Sequence, residues 1–241
     1  MQLRRRTGRA PGGAARRIGL VLRWPTGLAL VSWRYMWRTT PMHRSETTDE
    51  AAEQPRAVPD ALLDADVQRV EDGVGPLVNR RYSVRIAGAA LPPAQLITRF
   101  AGDPNCATPA EVAVFEKIRG ATDEMQVGDE FLIRMPGPWD GPVRVIDRTP
   151  TSFRLTTLRG HIEAGQIEFR CRAAGGGQLT FEIESWARSG DWLSNLLYTR
   201  LRLAKEIQLN LWVETCLRLV RNVGGRPRGG VRIETRRLRT P

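Results

Sequence analysis

Hydrophobic and polar positions along the chain fall into a regular pattern from about residue 61. Ala61–Asp72 is a short, weakly helical stretch, and Gly73–Pro76 reads as a turn. Over Val78–Ala87, Tyr82, Val84 and Ile86 share one side while Arg81, Ser83 and Arg85 share the other, the period-two pattern of a half-buried strand. Pro92 and Pro93 open a helix through Phe100, because proline is tolerated in a first helical turn. Thr108, Pro109 and Glu111 form a capping pattern that predicts a second helix. Five strands are then expected, over 129–135, 143–147, 152–158, 166–172 and 178–187, separated by Pro-Gly, Asp-Gly and Gly-Gly-Gly turns. In the last two, Ile167, Phe169 and Cys171 oppose Phe181 and Ile183 on an apolar face, and the other face can pair arginine with glutamate across strands.

A final helix is predicted from a cap at Ser189-Gly190-Asp191 to about Asn222, with Leu193, Leu196, Leu197, Leu201, Ala204, Ile207 and Leu211 as its apolar stripe. At 1.5 Å per residue it would be about 45–50 Å long. One strand, two helices, five strands and a long helix are most economically packed as a curved antiparallel sheet wrapped on that helix, an α+β architecture. Such curvature leaves room between sheet and helix, where apolar ligands commonly sit.

Upstream of residue 61 the pattern changes. Residues 45–60 are polar, contain prolines and show no apolar period, and read as a linker. Residues 1–44 carry a helix expected over 26–38 that sets Trp33 with Trp37 and Arg34 with Arg38 at i,i+4 spacing. Tryptophan and arginine around a short apolar run suit a membrane interface, while Arg23 and Pro25 interrupt the run and argue against a span or a secretory signal. A helix packed on the protein's own folded body is the competing reading.

Charge sharpens this division. The chain of 241 residues has a formal charge of +11, but residues 1–44 hold +10, residues 223–241 hold +5, and the body between them holds −4. The basic ends read as tails suited to an anionic surface, and the mildly acidic body argues against a dedicated nucleic-acid-binding fold. The three cysteines, Cys106, Cys171 and Cys216, form neither a disulfide framework nor a zinc pattern. No nucleotide fingerprint, phosphate-cradling loop or nucleophile elbow is present, so no cofactor is expected.

Two motif blocks remain. One is Pro136-Gly137-Pro138-Trp139-Asp140-Gly141-Pro142-Val143-Arg144-Val145. The other is Thr157-Leu158-Arg159-Gly160-His161-Ile162-Glu163-Ala164-Gly165-Gln166-Ile167-Glu168-Phe169. In this order they resemble the signature blocks of the domain-of-unknown-function 1990 family, over about residues 75–222. The family lies near the helix-grip superfamily of START-related lipid-transfer and birch-pollen-allergen-like proteins. The resemblance implies a helix-grip fold over 61–222 and carries no activity. It also implies a glutamate after the second glycine of the histidine block, where this chain has Gln166.

His161 with Glu163 and Glu168 is the one constellation suited to acid–base work, although Gly160 and Gly165 bracket it as a turn would. Trp139 is placed to cap a cavity mouth, Arg144 to meet an acidic head or solvent, and Phe169, Phe181 and Trp186 to line the cavity. The expectation is therefore a binding protein for a lipid-like small molecule, cytoplasmic and held on the inner membrane face by its amino-terminal segment. The alternatives are an enzyme using His161 and Glu163 on such a ligand, and an interaction module working through its tails, with no specific nucleic acid expected.

Overall fold

The computed structural model describes residues 41–48, 54–121, 124–135, 140–190 and 203–238. Among them, nine strands form one curved mixed sheet, accompanied by two α-helices. The strands are β1 (Met42–Thr48), β2 (Val74–Ala87), β3 (Val114–Arg119), β4 (Glu130–Arg134), β5 (Asp140–Thr149), β6 (Ser152–Thr157), β7 (Glu163–Ala174), β8 (Gln178–Ser189) and β9 (Arg226–Leu238). The helices are α1 (Pro93–Gly102) and α2 (Leu203–Asn222). Spatial order is β1-β9-β2-β8-β7-β6-β5-β4-β3. Every neighbouring pair is antiparallel except β1 with β9, so the wholly antiparallel expectation is corrected at that edge.

The parity of the strands sorts their residues as the alternation predicts. Tyr82, Val84 and Ile86 face inward opposite Ile183, Phe181 and Leu179, and Phe169 and Cys171 continue that face on β7. The main core is aromatic. Phe100 of α1 packs within 6.0 Å, centroid to centroid, of Phe153, Phe169 and Phe181, and Trp212 of α2 meets Phe169 edge-on at 5.5 Å.

The opposite face is an arginine–carboxylate lattice. Glu184 accepts from Arg81, Arg170 and Asn79, Glu182 accepts from Arg170 and Arg172, and Arg144 joins Glu130 to Asp64. Cross-strand pairs of this kind replace water around each charge with a hydrogen-bonded partner of opposite sign.

Three expectations change, and a fourth lies mostly outside the described residues. The segment from Thr108 is a single turn instead of a helix. The Asn105 side chain donates to the Phe115 carbonyl and accepts from the Phe115 amide, both at 2.8 Å, as a neighbouring strand would, and this draws Val114–Arg119 into β3. The expected linker is only partly one: residues 42–48 form β1, and Val58 is buried against Val67, Ile146 and Leu158 on the outer sheet face. The chain does not end in a tail after α2. Gly224, with φ +68°, and Gly225, whose amide bonds Val220 O, stop the helix and turn the chain into β9. In β9, Val231 and Ile233 bury inward beside Val84 and Tyr82, an apolar alternation masked in the sequence by the strand's five arginines. Finally, α2 is described only from Leu203, and the predicted helix start at 189–202 lies mostly outside the described residues.

Candidate functional site

The interior between sheet and α2 has a dry end and a polar end. At the dry end the phenylalanines named above are in mutual contact, and Phe169 and Phe181, predicted to line a cavity, are packed core. Toward the start of β7 the inward positions become polar. Arg80, in phase with Tyr82 on β2, is buried, and its Nη1 donates to Gln208 Oε1 on α2 at 2.8 Å. Gln208 Nε2 in turn donates to both carboxylate oxygens of Glu163, at 3.2 and 3.1 Å. The glutamine amide thus links a cation and an anion across the interior.

Beside this chain lies the fully buried Tyr82. Burial raises its hydroxyl far above the ordinary tyrosine value, with Arg80 pulling it down and Glu163 pushing it further up. Among the described residues its Oη has no hydrogen bond of normal geometry, although the Arg80 guanidinium approaches it, and the indole Nε1 of Trp212 has none either. A buried donor or acceptor left unmade costs about 1–3 kcal/mol, so two in one interior mark a place suited to a polar guest atom. Met135 and Ile167, both half-buried, pack against the apolar core on the same inner face.

His161 and Glu163 both belong to this end but do not form the acid–base pair expected of them. His161 Nδ1 lies 2.9 Å from the Glu163 amide nitrogen and 3.0 Å from its carbonyl oxygen, so the ring is tied to that backbone whichever nitrogen carries the proton. The ring lies over Gly141, where a Cβ would come within 2.9 Å of Nε2. This joins the two motif blocks, since the Leu158 amide also bonds Pro142 O at 2.9 Å. Gly165 serves a different contact, that of β7 with β8: a Cβ there would stand 2.0 Å from the Trp186 carbonyl. Burial lowers the His161 pKa more than the neighbouring Glu163 raises it. The unfolded chain, with an ordinary imidazole value near 6.5, therefore takes up a proton that the folded protein resists. Stability is full above that value and declines as pH falls below it. Melting temperature should drop between pH 7.5 and 5.5, and His161→Asn, which keeps an acceptor for the Glu163 amide without titrating, should flatten that drop. An equal drop in the variant would assign it elsewhere.

The other predicted residues are dispersed. Arg144 faces outward, donating to Glu130 at 2.7 Å, Asp64 at 2.8 Å and Leu62 O at 3.0 Å, away from the interior. Trp186 is also on the outer face, clustered with Val70 and Leu77. Glu168 lies in the outer lattice near Arg170 and Arg56. Trp139 lies outside the described residues. Arg80, Tyr82, Gln208 and Trp212 were missed as a group, although Arg80 breaks an otherwise apolar parity and so carried a signal.

A cleft of about 370 Å³ adjoins His161, lined by residues including Gln68, Asp72, Arg159 and Gly190. Among the described residues no group of three His, Cys, Asp or Glu side chains could hold a metal ion. No helix there is long and apolar enough to cross a membrane. Burial pushes the Cys171 thiol up to about 12 and Cys216 higher still, so both stay protonated at neutral pH.

Comparison with known proteins agrees with the resemblance carried by the motif blocks. Residues 109–215 match the model of the family described as domain of unknown function (DUF1990). No curated protein matches the chain. Among solved structures, a conserved protein from Geobacillus kaustophilus is similar at 12% identity and a TM-score of 0.43, covering 62% of this chain and 98% of its own. Norcoclaurine synthase from Thalictrum flavum, solved with dopamine and hydroxybenzaldehyde, is similar at 11% identity and a TM-score of 0.44, covering 66% and 96%. The protein Ara h 8.0201 is similar at 11% and 0.37, covering 59% and 97%. At such identities and superpositions these likenesses fix neither ligand nor reaction.

Proposed function

We propose that this chain, matching the DUF1990 family over residues 109–215, binds a small amphipathic molecule between its sheet and α2. The molecule seats a polar atom at the end marked by Arg80, Tyr82, Glu163, Gln208 and Trp212. The observation that carries this reading is a pair of buried polar atoms, Tyr82 Oη near Arg80 and Glu163 and Trp212 Nε1 one turn after Gln208 on α2, that make no hydrogen bond of normal geometry among the described residues. Because the Arg80 and Glu163 charges offset one another, the guest's polar group is neutral. Trp212 offers only a donor, so the group has an accepting oxygen, that of a carbonyl or a hydroxyl. Met135 and Ile167 supply apolar contact for the remainder.

Tyr82→Phe tests this directly, because ligand and stability move in different directions. Removing a hydroxyl that makes no hydrogen bond of normal geometry leaves the empty protein equally stable or up to about 1 kcal/mol more stable. The bound molecule, however, loses a partner. Urea titration of ligand-stripped protein should show that gain or no change, while recovery of a co-purifying small molecule from the variant should fall severalfold. A variant destabilised by 2 kcal/mol or more, with unchanged recovery, would mean that the hydroxyl serves the fold alone.

Binding carries the reading better than catalysis, because the His161 ring is tied to backbone and the Glu163 carboxylate to Gln208. Residues 1–40, which lie outside the described structure, are assigned the membrane contact on their Trp/Arg pattern alone. Trp33→Ala with Trp37→Ala should move the protein from the membrane pellet to the supernatant; an unchanged distribution would remove that assignment.

A further inference from the structure

The outer face of the sheet neutralises most of its arginines pair by pair, and one corner departs from that rule. There a groove of about 590 Å³ is lined by residues including Arg81, Arg85, Arg172, Arg228, Arg232 and His43. Arg81 and Arg172 are held by Glu184 and Glu182. Arg85, Arg228 and Arg232 have no carboxylate at ion-pair distance among the described residues. Arg85 of β2 also stands in register directly opposite Arg228 of β9, where the neighbouring pair Arg81 and Glu234 sets opposite charges face to face. Like charges directly opposite one another destabilise a sheet. Glu182 and Glu234 also line the groove, but Glu182 is bonded by two arginines and Glu234 lies 3.7 Å from Arg236.

The backbone is shaped at the same place. Between Arg228 and Val231 the register shifts, and Gly229 and Gly230, with φ of +75° and +79°, carry the chain around the bulge. A side chain at Gly230 would meet the Pro41 carbonyl at 2.0 Å. Pro41 is where residues 1–40, with nine arginines and no acidic residue, join the described structure. Excess positive charge on the folded face is therefore continuous with excess positive charge in the sequence that leads into it.

We infer that this groove is a binding site for a phosphate-bearing anion. Three guanidinium groups without carboxylate partners offer planar, paired donors of the kind that match phosphate oxygens, and an anion between Arg85 and Arg228 relieves their repulsion. The site is on the opposite face of the sheet from the interior and is independent of the ligand proposed there.

Two probes, soluble tripolyphosphate and vesicles of phosphatidylglycerol, should be titrated against the full chain. The same titrations are run on Arg85→Gln/Arg228→Gln/Arg232→Gln. The control is Arg69→Gln/Arg119→Gln/Arg221→Gln, which removes the same net charge from exposed positions elsewhere. The groove variant should bind at least one probe about tenfold or more weakly, while the control stays within about threefold. A response to tripolyphosphate identifies a soluble phosphate as the source, and a response to vesicles alone identifies a lipid headgroup. The single variant Arg232→Gln, opposite Ser83 and outside the like-charge pair, should weaken the same probe about threefold with an unchanged melting temperature. Equal losses in both triple variants, or binding of neither probe by the unmodified protein, overturn the inference.

Discussion

Replacing Phe169 with alanine should cost about 3–5 kcal/mol and lower the melting temperature by about 10 °C or more. Its ring joins four elements of the core. It stacks on Phe153 at 4.7 Å, meets Phe100 edge-on at 5.6 Å, and meets Trp212 at 5.5 Å, so it links β6, α1 and α2 through β7. Alanine there loses the transfer free energy of the ring and leaves a void that three rigid aromatic neighbours cannot close. Phe169→Leu, which fills part of the void, should cost roughly half as much. Chemical denaturation of both variants checks the pair. A loss below about 1 kcal/mol for alanine would mean that the interior is loose enough at this end to admit a guest.

The second large effect belongs to the outer face. Glu184 is only 3% exposed and accepts from Arg170 at 2.7 Å, Arg81 at 2.8 Å and Asn79 at 3.1 Å. Glu184→Ala removes the shared acceptor from two arginines. Truncating one member of a fully buried pair costs about 3–5 kcal/mol, and because Arg170 and Arg81 are 25% and 28% exposed, about 2–3 kcal/mol is expected here. Burial alone would raise the Glu184 carboxyl, but hydrogen bonds from Arg81 and Asn79 and the arginine charges hold it below the ordinary value. Its contribution is thus complete above the usual carboxylate pKa of about 4.3 and is lost as pH falls through the lower folded value. The unmodified protein should lose stability across that acidic window, and Glu184→Ala should show a shallower loss. Parallel slopes would place the acid sensitivity in other carboxylates.

Much of this lattice was legible in the sequence, because period two in β2, β7 and β8 separates Phe, Ile and Val from Arg and Glu without exception between residues 81 and 86 and between 167 and 172. The same parity places Trp186 outward, since Phe181 and Ile183 point in, and applying it would have removed Trp186 from the cavity. The stop at Gly224 was equally plain. What the sequence concealed were elements whose partners are distant. β9 looks like a basic tail because its arginines outnumber Val231 and Ile233, and only β2 alongside reveals a buried face. β3 was hidden because Thr108 and Pro109 imitate a helix start, while the Asn105 clamp on Phe115 that decides the matter is a side-chain contact ten residues apart.

The candidate site followed the same division. His161 and Glu163 were singled out by their spacing, but the histidine ring bonds the backbone of Glu163 and packs on Gly141 of the other block, neither of which residue spacing shows. Gln208 mediates between Arg80 and Glu163 from α2, 45 residues beyond Glu163, so no local pattern pointed to it.

Mass spectrometry of an organic extract from the purified full-length protein tests the central claim most directly, with Gln208→Leu extracted in parallel. Near-stoichiometric recovery of one small molecule bearing a neutral carbonyl or hydroxyl oxygen is expected from the unmodified protein, with little from the variant. Extracts free of any such molecule from both proteins, or equal recovery from both, would contradict a polar seat between sheet and helix.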